Sequence, residues 1–137
     1  IDRIKQIHQK IPNTHLVMHG SSSVPQEWLT VINQYGGEIP ETYGVPVEQI
    51  CEGIKHGVRK INIDTDLRLA STGIIRQFLA TNPTAFDPRA YLQETIAVMK
   101  DIAVARYEAF GTAGNAPKIV PLGLEGMTGY YSERRLA

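Results

Sequence analysis

The stretch HLVMHGSSS, residues 15–23, sets two histidines around a short apolar run and follows them with a glycine and three serines. Residues 15–18 have the composition of a strand, which Gly20 stops. Residues four apart on a strand are separated by about 13 Å, whereas zinc needs its ligand nitrogens about 2 Å away. We therefore predict that His15 and His19 do not share a metal ion. The strand places His15 at the opposite end, where it has a structural role.

Helical and strand patterns alternate on both sides of this stretch. Isoleucines at positions 4, 7 and 11 follow helical spacing, so the chain opens inside an amphipathic helix and is expected to be a piece of a longer protein. Prolines and glycines mark where further elements begin and end. The pattern predicts strands over 15–18 and 58–63, and helices from Asp2 to Lys10, Pro25 to Tyr35, Val47 to Gly57, Leu67 to Leu79, and Asp87 to Phe110.

Several connecting segments have specific expectations. Ser23 is expected to cap the helix that starts at Pro25, and the aspartates and threonine of residues 64–66 to cap the helix that follows them. The segment GGEIPETYGVP, residues 36–46, contains turn formers without a period and is interpreted as a functional loop. Residues 123–137 also lack a clear period, and we expect a mobile C-terminal tail there.

The order of helices and short apolar strands is typical of a parallel α/β protein. Two parallel strands do not make a stable sheet alone, because parallel sheets are covered on both faces. We therefore predict about a quarter of a (β/α)8 TIM barrel followed by extra C-terminal helices. Residues 1–122 would form this incomplete portion of one domain, which needs further polypeptide to complete it.

Composition limits the classes of partner. Fourteen Lys and Arg residues balance fourteen Asp and Glu residues, so no basic surface favours nucleic acid or an anionic membrane. Lysines such as Lys5 and Lys60 are interpreted as ordinary solvated charge. The one cysteine, Cys51, excludes an internal disulfide, and no apolar run has the length of a membrane span or a signal-peptide core. We therefore expect a cytoplasmic protein with a small-molecule ligand.

Polar residues follow the end of the first strand. His19 lies where chemistry gathers in a barrel, at the carboxyl end of a strand, so it is the better metal-ligand candidate of the pair. The N–H groups of Gly20, Ser21 and Ser22 and the serine hydroxyls can face an anionic oxygen or a monovalent cation. The alternatives are a hydrogen-bonded packing histidine and a serine turn that only caps the next helix.

The second strand ends in a similar way at residues 62–66, NIDTD. Free N–H groups at a helix start favour phosphate, although the Asp64 side chain would repel it, so only its N–H would help, together with Thr65. The alternative is that the aspartates only cap the helix. Asn62 alternates with Ile61 and Ile63, so it points away from them and can offer its amide to a sugar-like hydroxyl.

An arginine lies in the apolar row of the last long helix. Arg106 shares its stripe with Leu92, Ile96, Met99, Ala103 and Phe110. A buried guanidinium needs a partner, and its planar fork suits a carboxylate or a phosphate. The sequence leaves three possibilities open: a ligand contact, a structural ion pair, or a side chain that reaches water.

Four segments together carry a family resemblance, and they are HLVMHGSSSVP, GGEIPETYGVP, KINIDTD and RYEAFGTAG. In their order and spacing they resemble the class II, metal-dependent fructose-1,6-bisphosphate aldolases. EAFGTAG and the long loop are most similar to the second subgroup of that class. The family fold is a (β/α)8 barrel, and the resemblance implies that this chain supplies its last two strands and the C-terminal helices.

The resemblance also implies roles for the residues at the strand ends. His19 matches one of three histidine ligands of the catalytic zinc, and Gly20 and Ser22 match a loop that touches a substrate phosphate and a monovalent cation, K⁺ or Na⁺. Asn62 matches the amide that binds dihydroxyacetone phosphate.

Three further residues match the family's phosphate sites. Asp64 and Thr65 match the second phosphate-binding loop. Arg106 matches the arginine that reaches the other phosphate, often across a subunit interface. The remaining zinc histidines and the acid/base aspartate match nothing here, so no catalytic residue is expected in this chain and they are expected upstream.

The implied reaction is reversible aldol cleavage of fructose 1,6-bisphosphate to dihydroxyacetone phosphate and glyceraldehyde 3-phosphate, with zinc as Lewis acid. The implied partners are the N-terminal portion of the same protein and further copies in a homo-oligomer, and the isolated chain is expected to be inactive. Two alternatives remain open, a tagatose-bisphosphate aldolase of the same class and a non-catalytic fragment.

Overall fold

The computed structural model describes residues 1–133. The helices in this range are α1 (Asp2–Lys10), α2 (Gln26–Gln34), α3 (Val47–Lys55), α4 (Thr65–Thr81), α5 (Pro88–Ala109) and α6 (Leu124–Glu133). The strands are β1 (Leu16–Met18) and β2 (Val58–Ile61), and a short 3-10 helix, Ala116–Lys118, lies between α5 and α6. Within residues 1–133, no helix is both long enough and apolar enough to cross a membrane.

Strands β1 and β2 form a two-stranded parallel sheet. Met18 pairs with Ile61, and the N–H of Asn62 donates to the Met18 carbonyl at 3.1 Å, so the pairing extends one residue past β2. The predicted strand over 58–63 is therefore slightly too long, because the chain turns towards α4 after Asn62. Helices around a small parallel sheet confirm the α/β class.

Helix α4 lies between α2 and α5 and packs against both. A Cβ atom on Gly73 of α4 would lie 2.9 Å from a ring carbon of Trp28 in α2, so glycine permits this close approach. The buried apolar residues come from α2, α3, α4, β2 and the segment before α2. They are Val24, Leu29, Ile32, Ile50, Val58 and Ala70.

The predicted helix caps have different outcomes. Asp87 caps α5 as predicted, since its carboxylate accepts the Arg89 N–H at 3.0 Å. Within the described chain, however, Ser23 does not cap α2 and the side chains of residues 64–66 do not cap α4, so the capping roles predicted for them are wrong. The Ser23 hydroxyl instead donates to the Asp66 carboxylate at 2.8 Å, because the fold brings these distant residues together.

The first half of the apolar row along α5 is exposed within this chain. Leu92 and Ile96 are 45% and 68% exposed in this chain. Helix α5 turns a different face towards α4: Thr95 is buried, and the ring of Tyr91 lies 6.3 Å from that of Phe78. The packing of α5 on α4 therefore uses the face of Thr95 and not that of Leu92 and Ile96.

The segment after Gly123 contains a helix that the sequence did not indicate. Residues Leu124–Glu133 form α6, and Leu124 and Tyr131 are 86% and 65% exposed. Because this helix buries little apolar surface, its sequence carries no amphipathic stripe to reveal it. The predicted mobility of the tail stays a prediction, and residues 134–137 lie outside the described part.

Helix α1 is tied to α3 by a cluster of charges around Glu52. The Glu52 carboxylate accepts from Lys5 of α1 at 3.0 Å, and from Lys55 and His56 at 3.2 Å each. The hydrogen bond from Lys5 is the largest of the causes that lower the pKa of Glu52 from 4.5 to about 2. Lys5 is therefore an inter-helix contact rather than the ordinary solvated charge that the sequence suggested.

This cluster gives an expected pH dependence. A carboxylate with a lowered pKa stabilises the fold above its unfolded pKa, and this contribution is lost as the pH falls through the folded value. In the full-length protein, Glu52→Gln should therefore lower the melting temperature at pH 7, and the difference from the parent should shrink between pH 4.5 and about 2. Thermal unfolding at several pH values measures this, with Glu48→Gln on the same helix as the control. A constant difference across this range would contradict the prediction.

Candidate functional site

The ends of β1 and β2 bring two predicted site residues into contact. The Asn62 side-chain nitrogen lies 2.8 Å from Nδ1 of His19. The sequence prediction that Asn62 points away from its apolar neighbours agrees with this contact, since Ile61 and Ile63 instead line a groove against α5. The two strand ends therefore converge on one place.

The charge of Lys60 fixes the orientation of the Asn62 amide. Lys60 Nζ donates to the side-chain oxygen of Asn62, which leaves the side-chain nitrogen of Asn62 facing His19. Nδ1 of His19 then accepts a hydrogen bond, and the neutral ring carries its proton on Nε2. Lys60 thus belongs to the site, although the sequence gave no signal that separates it from a solvated lysine.

A zinc ion needs more protein ligands than the described residues provide. Protein zinc sites use at least three protein ligands, usually His, Cys, Asp or Glu. Within residues 1–133, no three such side chains are arranged to hold a metal ion. His19 contributes one imidazole, and its Nδ1 is engaged by Asn62. Zinc therefore does not fit the described residues alone.

The serine turn joins the second strand end at the start of α4. Ser22 Oγ accepts the N–H groups of Asp64 and Thr65 at 3.2 and 3.0 Å. The buried Ser21 hydroxyl lies 2.8 Å from the backbone carbonyl oxygen of Asn62 and 3.2 Å from the backbone carbonyl oxygen of Met18. The two loops are thus held together through side chain to backbone hydrogen bonds. The first N–H groups of α4 and the Ser22 hydroxyl form a group of donors suited to an anionic oxygen.

The Asp64 side chain points to a different partner. Its carboxylate accepts from Arg68 Nε at 2.9 Å, and both side chains are exposed. The N–H of Asp64, in contrast, points to Ser22. The backbone N–H of Asp64, and not its side chain, therefore faces the serines, and its role towards an anion stays a prediction.

Gly20 occupies the bend between His19 and the serines. Its φ of +63° lies in the left-handed region, which glycine adopts without steric cost. A Cβ atom added there would meet no other atom within 4 Å, so the space beside this backbone is open. The bend thus exposes its backbone next to His19.

Arg106 lies in a separate cluster with Asp66. Its guanidinium donates to Ser23 Oγ at 2.7 Å and to an Asp66 carboxylate oxygen at 3.2 Å. These contacts match the structural ion pair among the three possibilities that the sequence left open. Arg106 contacts the loop of residues 20–24 through Ser23, and its described hydrogen bonds do not reach His19 or Asn62.

Asp66 is a second residue whose role sequence reasoning missed, since it was interpreted only as a helix cap. It is fully buried, and its carboxylate accepts from the N–H of Val24 at 2.9 Å as well as from Ser23 and Arg106. A signal was available: Asp66 begins the buried stripe that continues through Ala70 and Gly73 at helical spacing. A carboxylate on a buried stripe needs partners within the fold.

Comparison with known proteins identifies the family. The model of class-II fructose-bisphosphate aldolases matches residues 1–115, which is most of the chain. The chain belongs to the class II fructose-bisphosphate aldolase family. This result confirms the resemblance that the four sequence segments indicated.

Individual aldolases resemble the chain over nearly its full length. It is 72% identical over 136 residues to the fructose-bisphosphate aldolase of Stutzerimonas stutzeri, covering 99% of this chain and 38% of that protein. It is 57% identical over 136 residues to that of a Nostoc species, with the same coverage. The aldolase of Xanthobacter flavus is 58% identical over 137 residues, which are 39% of its length. The chain therefore spans about 38% of the curated relatives it matches.

Proposed function

We propose that the full-length protein containing this chain catalyses the reversible aldol cleavage of fructose 1,6-bisphosphate to dihydroxyacetone phosphate and glyceraldehyde 3-phosphate. The contact between His19 and Asn62, beside the N–H groups at the start of α4, carries the proposal. It combines a metal-type ligand, a hydroxyl-binding amide and an anion-binding helix end in a chain of the aldolase family.

In this proposal His19 is one zinc ligand, and the other ligands and the acid/base aspartate lie outside these 137 residues. A zinc ion held by His19 together with those other ligands would supply Lewis-acid chemistry towards the substrate ketone. Nδ1 of His19 can bind the metal only if the Asn62 amide moves away from it. Nε2 can bind the metal only if the ring proton shifts to Nδ1, and the Asn62 side chain must then turn its oxygen towards Nδ1 to accept that proton. Metal binding is thus linked to the orientation of Asn62.

The other residues bind and orient the substrate. Asn62 offers its amide to the hydroxyl of the dihydroxyacetone phosphate half. Gly20 and Ser22, together with the N–H groups of Asp64 and Thr65, bind one phosphate. A phosphate oxygen there replaces the Ser22 hydroxyl as acceptor of both N–H groups, and the hydroxyl turns to donate. The same bend offers oxygens to a monovalent cation, K⁺ or Na⁺.

Arg106 binds the other phosphate in this proposal. To do so, its guanidinium leaves the Asp66 carboxylate and binds the phosphate instead. The phosphate belongs to the site of the same subunit or to that of a neighbouring subunit in a homo-oligomer. The buried Nε of Arg106 has no partner within the described chain and is a donor available for this contact.

We assign residues 1–122 to the last two strands and the following helices of a (β/α)8 barrel, completed by upstream polypeptide. The parallel pairing of β1 and β2 supports this assignment, as do the polar residues at the carboxyl ends of both strands. A soluble barrel of this kind would act in the cytoplasm.

The test is a cleavage assay on the full-length protein. We expect activity on fructose 1,6-bisphosphate that a chelator abolishes and zinc restores. The isolated 137-residue chain, prepared in parallel, should be inactive. Faster cleavage of tagatose 1,6-bisphosphate would favour the related aldolase instead, and no cleavage of either bisphosphate would refute the proposal.

Ser22 offers a second, more local test. Ser22→Ala should raise the KM for the bisphosphate roughly 10-fold, because a hydrogen bond to a charged phosphate oxygen is lost. Steady-state kinetics of the full-length variant measure this. Ser132→Ala, which removes a hydroxyl from α6, is the control and should leave KM unchanged. An unchanged KM in the Ser22 variant would exclude Ser22 from phosphate binding.

A further inference from the structure

The buried Asp66 carboxylate lies at the base of the serine loop, residues 20–24. It accepts hydrogen bonds from the N–H of Val24 at 2.9 Å and the hydroxyl of Ser23 at 2.8 Å, and from Arg106 at 3.2 Å. We propose that Asp66 is a positioning residue that sets the serine loop in its phosphate-binding conformation. This inference rests on the proposed function, because it assigns the loop to a phosphate.

The backbone of Val24 shows why the loop needs such an anchor. Val24 has a φ of +53°, and it is the one non-glycine residue with a positive φ in the described chain. A β-branched residue in this region is strained, and strained conformations persist only where the surroundings hold them. The hydrogen bond from the Val24 N–H to Asp66 and the burial of the Val24 side chain provide that hold.

The position of Asp66 connects this anchor to the phosphate site. Asp66 follows Thr65 in the first turn of α4, and the N–H of Thr65 donates to Ser22 Oγ at 3.0 Å. Two residues of the same loop therefore bind the start of α4: Ser22 Oγ accepts backbone N–H groups there, and the Val24 N–H donates to the Asp66 side chain. If Val24 relaxes, Ser22 moves away from the N–H groups of α4. Asp66 thus acts through Ser22 without touching the substrate.

Inorganic phosphate is the probe that tests this role. In the full-length protein, Asp66→Asn should weaken phosphate binding roughly 10-fold in isothermal titration, because it removes the charge that organises the loop donors. In a Ser22→Ala background the same substitution should have little further effect, since Asp66 acts through Ser22. An equal loss of affinity in both backgrounds, or no loss in either, would overturn the proposal. A merely structural role would lower the melting temperature without this dependence on Ser22.

A rescue experiment addresses the strain directly. Glycine adopts positive φ freely, so Val24→Gly added to Asp66→Asn should restore part of the phosphate affinity. No restoration would contradict the role of Asp66 in holding Val24. If Asp66→Asn does not fold, Ser23→Ala serves in its place, because it removes one loop bond and keeps the carboxylate. This variant should bind phosphate a few-fold more weakly, and unchanged binding would overturn the inference.

These outcomes are separable from failure of the proposed function. A parent protein that binds phosphate but does not cleave a ketose bisphosphate would refute the proposed reaction, while the phosphate titrations would still test Asp66. A parent protein that does not bind phosphate would overturn the assignment of the loop and the role of Asp66 together.

Discussion

His19→Ala should lower the kcat of the full-length protein by at least about 100-fold, because loss of even an outer-shell partner of a metal ligand costs 10–100-fold. The zinc content of the purified variant should fall as well, since the proposed function makes His19 one of the imidazole ligands. Cleavage assays measure the first effect and atomic absorption the second. The contact between His19 and Asn62 at the converging strand ends motivates this prediction.

His15→Ala is the matched control. His15 precedes β1, at the opposite end of the same strand, and it is exposed. Its replacement removes an imidazole from the same segment, so it should leave both kcat and zinc content close to those of the parent. Full activity and full zinc content in the His19 variant would refute the ligand assignment.

Arg106→Ala should lower the free energy of unfolding of the full-length protein by about 3–5 kcal/mol, as expected when one partner of a buried ion pair is removed. The Asp66 side chain is fully buried and that of Arg106 is 19% exposed, so the carboxylate would lose its counter-charge inside the fold. Urea denaturation measures the change. Arg68→Ala is the control, because the Arg68–Asp64 pair is exposed and such pairs contribute less than about 1 kcal/mol.

Kinetics of the same variant separate the structural role of Arg106 from phosphate binding. A phosphate contact predicts a larger loss of kcat/KM on the bisphosphate than on a substrate that lacks the distal phosphate. Equal losses on both substrates would leave the ion pair with Asp66 as the complete role of Arg106. A stability change as small as that of Arg68→Ala would contradict the importance of the buried pair.

Local patterns predicted the elements that local interactions determine. The start of α5 followed from Asp87 and Pro88, since a capping carboxylate acts on an N–H two residues away. The short apolar runs predicted β1 and β2 nearly in full. The meeting of His19 and Asn62 was also predictable, because parallel strands end at the same edge of a sheet.

Predictions failed where a residue had a choice of partner. Ser23 has the chemistry of a helix cap, but its hydroxyl donates to Asp66, 43 residues away. The local pattern does not report this distant carboxylate, and the packing of the fold brings it to Ser23.

By itself, the sequence determined the α/β class, the approximate bounds of the strands and most helices, and, through its four motifs, the aldolase family. Only the tertiary structure decided that the Asp66 carboxylate holds Val24, Ser23 and Arg106. The reason is physical: periodicity and capping arise between neighbours in the chain, whereas a buried carboxylate is satisfied by whichever donors the packing of α4, α5 and the serine loop brings to it.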